Sequence, residues 1–479
     1  MKKVTDEILV AIDSFIENNK DSIINDLMNL VRIPSVRSCA KDGAPFGEEC
    51  KVMLEETAKL YERNGFKTRF DKNNNYIISN FNNGEKTIGI FSHGDVVPAD
   101  GEWLMCSPFE PIIKNEYMYG RGCNDDKSGI IQALYAAKFI KENIKDFKSS
   151  ILMYTGANEE TGMADIKEFV KNETIPDFSL APDGEYPFYC GERTIIRFLA
   201  TANNSFKAIK NFCGGTAENI VLCEATATIT NNENLYNELN ELCKNSNDYA
   251  IKLNDGDIII TAFGIAAHAA NVGDGKNAAK MLCDLLLKCN TLPCQDKEIL
   301  STASKFIADG YGCGFNIENV DKNFGKLNCC NGIASCKDNK LSLTFDIRAG
   351  IDYDYKDIES NILKACDEAN FNVIFTNSSK GYIRSENEFS NAICDVFNNF
   401  VKKESGKRPI LTAGGTYSRM LENSYSIGTV VYTDAPYIEL PSGHGSVHQP
   451  DERLYVNGFL AAIKILISII IEADNILNS

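Results

Sequence analysis

The sequence predicts an α/β protein with a mostly parallel central sheet, interrupted by a large inserted α+β domain. Short apolar strands alternate with amphipathic helices up to residue 187, which is typical of a parallel sheet covered by helices. Residues 188–385 instead combine strand-like stretches, punctuated by Gly and Asn, with helices. The first alternation then returns, so residues 1–187 and 386–479 are expected to form one discontinuous domain around the insert.

The elements can be predicted in order along the chain. Apolar residues at helical spacing indicate two helical segments before Pro34, and a third helix over 48–63 ends near Gly65. The other predicted elements are strands 87–91, 150–154, 178–180, 194–201, 225–230 and 257–263, and helices 130–144, 277–289 and 358–370.

Two helices are expected after the insert. Ser385 and Glu388 form a capping box that should start one of them, with an apolar face of Phe389, Ile393, Val396, Phe397 and Phe400. The apolar run 459–471 contains a lysine and is too short to span a bilayer, so it is predicted to be a buried helix.

Composition limits the classes of partner and compartment. The formal net charge of −17 argues against a nucleic acid or an anionic membrane as partner, because phosphate groups would be repelled. The 17 cysteines are an odd number without a C-x-x-C pair, and no apolar stretch follows Met1. We therefore expect reduced thiols in a cytoplasmic protein and no cysteine metal site.

Histidines and carboxylates recur where the predicted strands end. His93 follows strand 87–91, Glu159 and Glu160 follow strand 150–154, and Asp183 follows strand 178–180. Asp125 precedes a helix. Because functional groups gather at the carboxyl ends of parallel strands, these side chains are expected to converge at one edge of the sheet.

Such a cluster indicates a metal site. Neighbouring carboxylates repel one another without a cation among them. With His448, which lies beyond the insert, the set combines nitrogen and oxygen ligands that suit zinc, with manganese or cobalt as weaker alternatives. Glu159 and Glu160 are adjacent and point in different directions, so one can bind metal while the other transfers protons. The pattern predicts a two-metal hydrolase.

In these motifs the chain resembles the dinuclear zinc aminoacylases, carboxypeptidases and carnosinase-type dipeptidases, and among them the bacterial peptidase V group. The resemblance spans essentially the whole chain. The shared motifs are His93-Gly94-Asp95-Val96-Val97-Pro98, Trp103 with Pro108-Phe109, Gly120-Arg121-Gly122 with Asp125-Asp126-Lys127, Glu159-Glu160-Thr161-Gly162, Pro182-Asp183-Gly184-Glu185, and His448-x-x-Asp451-Glu452.

The resemblance implies a zinc-peptidase fold, two zinc ions and a role for each motif residue. His93 and Asp183 would hold one zinc, and Glu160 and His448 would hold the other. Asp125 would bridge the two ions and precede a cis peptide bond. Asp95 would orient His93, and Glu159 would be the general base.

Within the insert, the resemblance implies contacts with the substrate. His268 would reach the scissile carbonyl oxygen, Asn219 would face the substrate, and Arg348 would bind the substrate's terminal carboxylate in a bidentate way. After the insert, the backbone of Gly414 and Gly415 would line the pocket. The chain departs from the family at Asp346, where Asn is expected, and at Ala349-Gly350, which replaces Tyr-Pro. His444 is open between a loop residue and a substrate contact.

The sequence therefore predicts a metal-dependent dipeptidase that hydrolyses the peptide bond of unblocked dipeptides. One alternative is an amidohydrolase of N-acyl amino acids, such as an aminoacylase, deacetylase or desuccinylase. An alternative of a different class is a non-catalytic binding protein with a relic site, against which the intact ligand set and base argue. Simpler family members dimerise through an insert about half this size, so the larger insert predicts a monomer in which the insert closes over the substrate.

Overall fold

The computed structural model describes residues 4–401 and 409–479, which form two compact units. Unit 1 comprises the chain up to Cys190, together with Arg384–Ile410 and Gly415–Ser479. Unit 2 comprises Gly191–Ile383 and Leu411–Gly414. The chain thus enters unit 2 near the predicted boundary at residue 187 and leaves it near the one at residue 385.

The elements of unit 1 fall on both sides of the insert. Before it lie α1 (Asp6–Val31), α2 (Glu48–Arg63), β1 (Lys67–Phe70), β2 (Tyr76–Phe81), β3 (Thr87–His93), β4 (Ile112–Lys114), β5 (Tyr117–Tyr119), α3 (Lys127–Asn143), β6 (Ser150–Gly156), α4 (Ala164–Asn172) and β7 (Phe178–Gly184), and then β8 (Tyr189–Glu192) crosses the boundary.

Unit 2 contains most of the remaining strands. Its elements are β9 (Thr194–Ala202), β10 (Ile209–Gly214), β11 (Glu224–Thr230), α5 (Glu233–Cys243), β12 (Tyr249–Asn254), β13 (Asp257–Phe263), α6 (Ala278–Leu287), α7 (Cys294–Ile307), β14 (Val320–Asp321), β15 (Gly325–Lys326), β16 (Asn328–Lys337), β17 (Lys340–Ala349), α8 (Tyr355–Glu368), β18 (Phe371–Ser379) and β19 (Tyr382–Ile383), with short 3-10 helices at Ala269–Asp274 and Cys313–Phe315.

The chain then returns to unit 1. The elements after the insert are α9 (Glu388–Val401), β20 (Ile410–Thr412), a 3-10 helix at Tyr417–Met420, β21 (Ser424–Gly428), β22 (Arg453–Tyr455) and α10 (Val456–Leu477).

The central sheet of nine strands is parallel only in its middle. Its order is β1-β2-β6-β3-β7-β21-β8-β19, with β20 paired to β8. Strands β6, β3, β7 and β21 run parallel to their neighbours within this group. The pairs on both flanks are antiparallel. The predicted parallel sheet is therefore the inner part of a mixed sheet.

A small antiparallel sheet, in the order β22-β5-β4, joins the two separated parts of unit 1. Arg453 in β22 pairs with Tyr119 in β5. This pairing brings the residues just before β22 next to the loop that follows β5.

The first helix is one continuous element, so the prediction of two helical segments before Pro34 was wrong. No Pro or Gly occurs between residues 6 and 31, so nothing interrupts the ladder of backbone hydrogen bonds. The apolar residues that indicated the two segments lie on this single helix, where those from Ile12 to Val31 are buried and Ile8 is half-buried.

The predicted cap of α9 was also wrong by two residues. The Asn387 side chain, not that of Ser385, accepts a hydrogen bond from the Ser390 backbone N–H at 2.9 Å, and the Ser390 hydroxyl accepts one from the Asn387 N–H at 2.8 Å. This reciprocal pair satisfies two backbone donors at the helix start. The sequence could not distinguish the two residues, because Ser385 and Asn387 both carry a side-chain oxygen that can accept a hydrogen bond and both precede the apolar run of α9.

The apolar run near the end of the sequence is a buried helix, as predicted. Helix α10 extends to Val456–Leu477 and is long and apolar enough to cross a membrane by those criteria alone. Most of it is buried inside the protein, however, where it packs against α1, α3 and α9. It is the core helix of unit 1.

Unit 2 is built on an eight-stranded antiparallel sheet in the order β12-β13-β11-β10-β16-β17-β9-β18. Helices α6, α7 and α8 pack against it over a separate apolar core. The predicted α+β character of the insert is confirmed.

Candidate metal centre

The candidate ligands lie at one edge of the central sheet. His93 is the last residue of β3, Asp183 lies at the end of β7, and Glu159 and Glu160 follow β6 closely. Because these three strands are parallel neighbours, their carboxyl ends meet. Asp125 lies two residues before α3.

The side chains form two adjoining groups, and the carboxylate of Asp125 lies between the two histidines. One oxygen of Asp125 lies 3.1 Å from His93 Nε2, and the other lies 2.9 Å from His448 Nε2. Asp183 Oδ2 is 3.9 Å from the same nitrogen of His93, and Glu160 Oε2 is 3.3 Å from the same nitrogen of His448. The structure thus brings together all five residues predicted to bind metal.

Asp126 also belongs to this cluster, and the sequence reasoning did not select it. Its carboxylate lies near the His93 imidazole and the Asp183 carboxylate, in a group of three side chains that could hold a metal ion. It also accepts hydrogen bonds from the His93 N–H at 3.2 Å and from the Gly129 N–H at 3.2 Å. Its position three residues before Gly129, typical of a helix cap, was the available signal. The peptide bond between Asp125 and Asp126 is cis.

Asp95 connects the histidine loop to the glutamate loop. Its two carboxylate oxygens accept hydrogen bonds from the backbone N–H groups of Glu159 and Glu160, at 3.0 and 3.1 Å. His93 Nδ1 lies 3.0 Å from the Asp95 carbonyl oxygen and 3.5 Å from its carboxylate. A proton on Nδ1 would leave the Nε2 lone pair free to bind metal.

Three buried atoms in the cluster have no hydrogen-bond partner within the part of the chain that the structure describes. They are His93 Nε2, Glu159 Oε1 and Glu160 Oε1. The 3.1 Å contact between His93 Nε2 and Asp125 is therefore close without being oriented as a hydrogen bond. Buried polar atoms are normally paired, so these atoms fit a site that supplies cations and water.

Electrostatics supports the same conclusion. Burial, reinforced by repulsion from Asp126 and Asp125, raises the pKa of Asp183 well above its usual range. Burial also raises the pKa of Glu159 well above its usual range, although the charge of His93 opposes it. Such crowding of carboxylates is unfavourable unless cations lie among them. Imidazole nitrogen with carboxylate oxygen is a donor set that fits two zinc ions.

His444 is held away from this cluster by a different partner. Its Nδ1 lies 2.7 Å from a carboxylate oxygen of Asp451, which is fully buried. The other oxygen of Asp451 accepts the backbone N–H groups of Leu104 and Met105, at 2.9 and 2.8 Å. His444 therefore packs as part of a buried loop anchor.

In unit 2, two of the predicted substrate contacts are neighbours. The backbone of Asn219 accepts a hydrogen bond from the Ala269 N–H at 2.8 Å, next to His268. His268 is exposed, and its Nδ1 accepts the Ala270 N–H at 3.2 Å. This bond helps to fix the orientation of the ring.

Arg348 is buried and paired within unit 2. Its Nε and Nη2 donate to the two carboxylate oxygens of Asp346 at 2.6 and 3.0 Å, and its Nη1 donates to the Ala413 carbonyl at 2.8 Å. Next to this carbonyl, the Gly414 N–H donates to the Thr412 hydroxyl at 3.0 Å. The departure noted at Asp346 thus supplies the direct partner of the predicted carboxylate-binding arginine.

Comparison with known proteins gives the family. The profile of peptidase family M20/M25/M40 matches residues 89–472. "Putative dipeptidase YtjP" of Bacillus subtilis is 26% identical over 467 residues, which cover 95% of this chain and 97% of that protein.

Two solved structures share the fold. The dipeptidase Dug1p of Saccharomyces cerevisiae matches with a TM-score of 0.60 at 14% identity, over 98% of this chain and 99% of that one. Human carnosine dipeptidase 1 matches with a TM-score of 0.59 at 12% identity, over the same shares. The predicted fold class and the family resemblance are confirmed. The chain belongs to peptidase family M20/M25/M40 and is a hydrolase that acts as a metallopeptidase.

Proposed function

We propose that the protein is a two-zinc dipeptidase that hydrolyses the peptide bond of unblocked dipeptides. One observation carries the proposal: the carboxylate of Asp125 lies between two imidazoles, one oxygen within about 3 Å of each. Asp183 supplies a second carboxylate near the His93 imidazole, and Glu160 supplies one near the His448 imidazole. His93 and Asp183 would hold one ion, and Glu160 and His448 the other, with Asp125 as the bridge.

Bound zinc would lower the pKa of a water molecule and polarise the peptide carbonyl. Glu159 would accept the proton of that water and return it to the leaving amine. Its carboxylate suits this role because one oxygen is buried without a hydrogen-bond partner among the described residues. Asp95 holds the backbone of Glu159 and of its neighbour Glu160, so the base and the ligand keep a fixed spacing.

Residues of the insert and the following loop would recognise the substrate. We propose that residues 188–385 act as a lid domain on the catalytic domain of residues 1–187 and 386–479. His268 would contact the scissile carbonyl oxygen, and Asn219 the substrate. Arg348 would bind the terminal carboxylate beside Asp346, and the backbone of Gly414 and Gly415 would line the pocket.

The choice of dipeptides is supported by relatives that carry that name over nearly the whole chain. The motifs favour the peptidase V group within the family. The size of the insert, residues 188–385, favours a monomer. The odd number of cysteines without a C-x-x-C pair favours the cytoplasm, with thiols kept reduced.

A substrate screen tests the proposal. Purified protein loaded with zinc, and separately with manganese or cobalt, is assayed against free dipeptides, tripeptides and N-acetyl or N-succinyl amino acids. We expect turnover of dipeptides that is lost when their amino group is acetylated. Preferential cleavage of N-acyl amino acids would replace the proposal with an amidohydrolase. Absence of turnover with two metals bound would favour a binding protein.

A further inference from the structure

We propose that Glu452 is a positioning residue that fixes Asp125 in the place where it can bridge two metal ions. This inference rests on the proposed function, because it concerns a residue that acts through a metal ligand. Glu452 does not belong to either candidate ligand group. Its side chain is 1% exposed, so it is removed from solvent and from substrate.

The carboxylate of Glu452 grips the loop that carries Asp125. Oε1 accepts hydrogen bonds from the backbone N–H groups of Asn124 and Asp125, at 3.0 and 3.2 Å. Oε2 accepts the Gly122 N–H at 3.0 Å and Arg121 Nη1 at 2.7 Å. The Glu452 side chain thus accepts four hydrogen bonds from four residues of the segment 121–125. Bonds to a charged acceptor are stronger than neutral ones.

These contacts leave Glu452 no part in binding metal. Both oxygens are used by the loop, and the negative charge is neutralised by Arg121, whose side chain is also 1% exposed. The Arg121 guanidinium in turn lies 5.4 Å from the centre of the Trp103 ring. The pair is therefore a buried, neutral anchor, and its effect on the metal site passes through the backbone of Asp125.

The loop itself has little freedom once it is gripped. Gly122 has a φ of +82°, and a Cβ there would lie 2.7 Å from a methyl carbon of Val96, so another residue would not fit. The Gly120 N–H donates to the Glu452 carbonyl at 3.0 Å, beside the pairing of β22 with β5. The side chain and the backbone of Glu452 therefore hold the same loop.

Glu452 also couples the two ligands of one metal. His448 lies four residues before it, and His448 Nε2 faces Asp125 at 2.9 Å. Asp451, which lies between His448 and Glu452 in the sequence, anchors this segment by accepting the backbone N–H groups of Leu104 and Met105. The spacing of His448, Asp451 and Glu452 therefore fixes the histidine and the bridging carboxylate relative to one another.

The substitution Glu452→Gln tests this role, with Asp474→Asn as the matched control. Gln keeps the size of the side chain but replaces one acceptor oxygen with an NH2 group, which cannot accept. Asp474 is likewise buried in unit 1, and it accepts the Ser149 N–H at 2.7 Å and the Lys148 N–H at 3.2 Å. Asp474 anchors α10 rather than a loop that carries a metal ligand. The Asp474→Asn variant therefore shows the effect on zinc affinity and kcat of weakening a buried carboxylate–backbone contact elsewhere in unit 1.

Zinc affinity is measured by competition with a chromophoric chelator, and amide hydrogen exchange of the segment 120–126 is measured on metal-free protein. We expect Glu452→Gln to weaken zinc binding about 10- to 100-fold, the usual effect of removing a residue that supports a ligand. Exchange in that segment should accelerate, and kcat should fall with KM nearly unchanged. The control variant should keep zinc affinity and kcat within about twofold of the wild type, because Asp474 does not support a metal ligand.

If the Gln variant does not fold, Glu452→Asp, which keeps the charge but shortens the reach, takes its place with the same expectation. Normal zinc affinity and exchange in a folded Glu452 variant would overturn this inference alone. Equal losses in the control would also overturn it. A wild-type protein that binds no divalent metal would overturn the proposed function and this inference together.

Discussion

Adjacent glutamates are given different surroundings at the site. Glu160 Oε2 lies 3.3 Å from His448 in a group that could hold a metal ion, whereas Glu159 belongs to no such group among the described residues. We predict that Glu159→Ala abolishes turnover and leaves two metals bound, because in the proposed mechanism the side chain would transfer protons without binding metal. Loss of a general base costs about 10²- to 10⁴-fold in rate. Steady-state assays and metal analysis of the same sample provide the measurement.

The matched control for that prediction is Glu160→Ala, which should lose one metal as well as activity. If the Glu159 variant instead loses a metal and the Glu160 variant retains both, the two roles have been exchanged.

The two histidines of the loop before β22 should also differ in metal content. His448 faces Asp125 and Glu160, whereas His444 is bound to buried Asp451. His448→Ala is therefore expected to lose zinc, and His444→Ala to retain both ions with a modest loss of stability. Atomic absorption on dialysed protein decides between them, and the reverse pattern would contradict the assignment.

The sequence selected candidate ligands that the structure brings together, but not the bonds that hold them in place. His93, Asp125, Glu160, Asp183 and His448 could be chosen because each occupies a strand end, a helix start or a recognisable motif. The bond from Asp125 to Glu452 could not be chosen, because it depends on the pairing of β5 with β22, two distant strands of three residues each. Short strands carry too little periodicity to be predicted.

At the scale of single elements, the start of α9 offers a direct test. Asn387→Ala removes the side chain that accepts the Ser390 N–H and also the bond from Asn387 Nδ2 to the Tyr425 hydroxyl. We predict a loss of about 1 kcal/mol or somewhat more in the free energy of unfolding, the usual cost of removing a helix cap. Activity per folded molecule should not change. Chemical denaturation provides the measurement.

Ser385→Ala is the control for this prediction, since Ser385 is exposed and was the residue expected from the sequence to be the cap. Its unfolding free energy should remain within about 0.5 kcal/mol of the wild type. A larger loss at Ser385 than at Asn387 would restore the original prediction.

Strands were predicted where their burial pattern is regular, whether it alternates, as in β9, β11 and β13, or is nearly uniform. Strands β3, β6 and β7 are buried almost throughout, so each appears as a continuous apolar run. The antiparallel flanks were not predicted, because β1 is mostly exposed and β8 contains only four residues. The direction of such short strands is set by their pairing in the folded protein, which the local sequence does not reveal.

At the scale of the whole molecule, the size of the insert predicts a monomer. Specific activity should then be independent of protein concentration, and light scattering should give the mass of one 53.0 kDa chain. Mixing His268→Ala with Glu159→Ala should not restore activity, because each chain would need both residues itself. A dimer mass together with restored activity in the mixture would contradict this prediction.

Removal of the metal ions should lower the free energy of unfolding of unit 1 as a whole. Without cations, the carboxylates of the cluster repel one another, so binding should favour the folded state. We predict that zinc at 100 times its dissociation constant stabilises unit 1 by about 2.7 kcal/mol for each of the two ions bound. Calorimetry with and without a chelator measures this, and Asp125→Asn should abolish most of the increase. An unchanged melting temperature would contradict the presence of a metal site.

The position of α10 in the core determines when unit 1 can be completed during synthesis. Helices α1 and α3 are made before the insert, but α10, which packs against both of them, is made after it. On the ribosome, unit 2 can therefore bury its own core while α1 and α3 still expose apolar surface. The emerging chain must shield that surface, or be protected by a chaperone, until α10 leaves the exit tunnel.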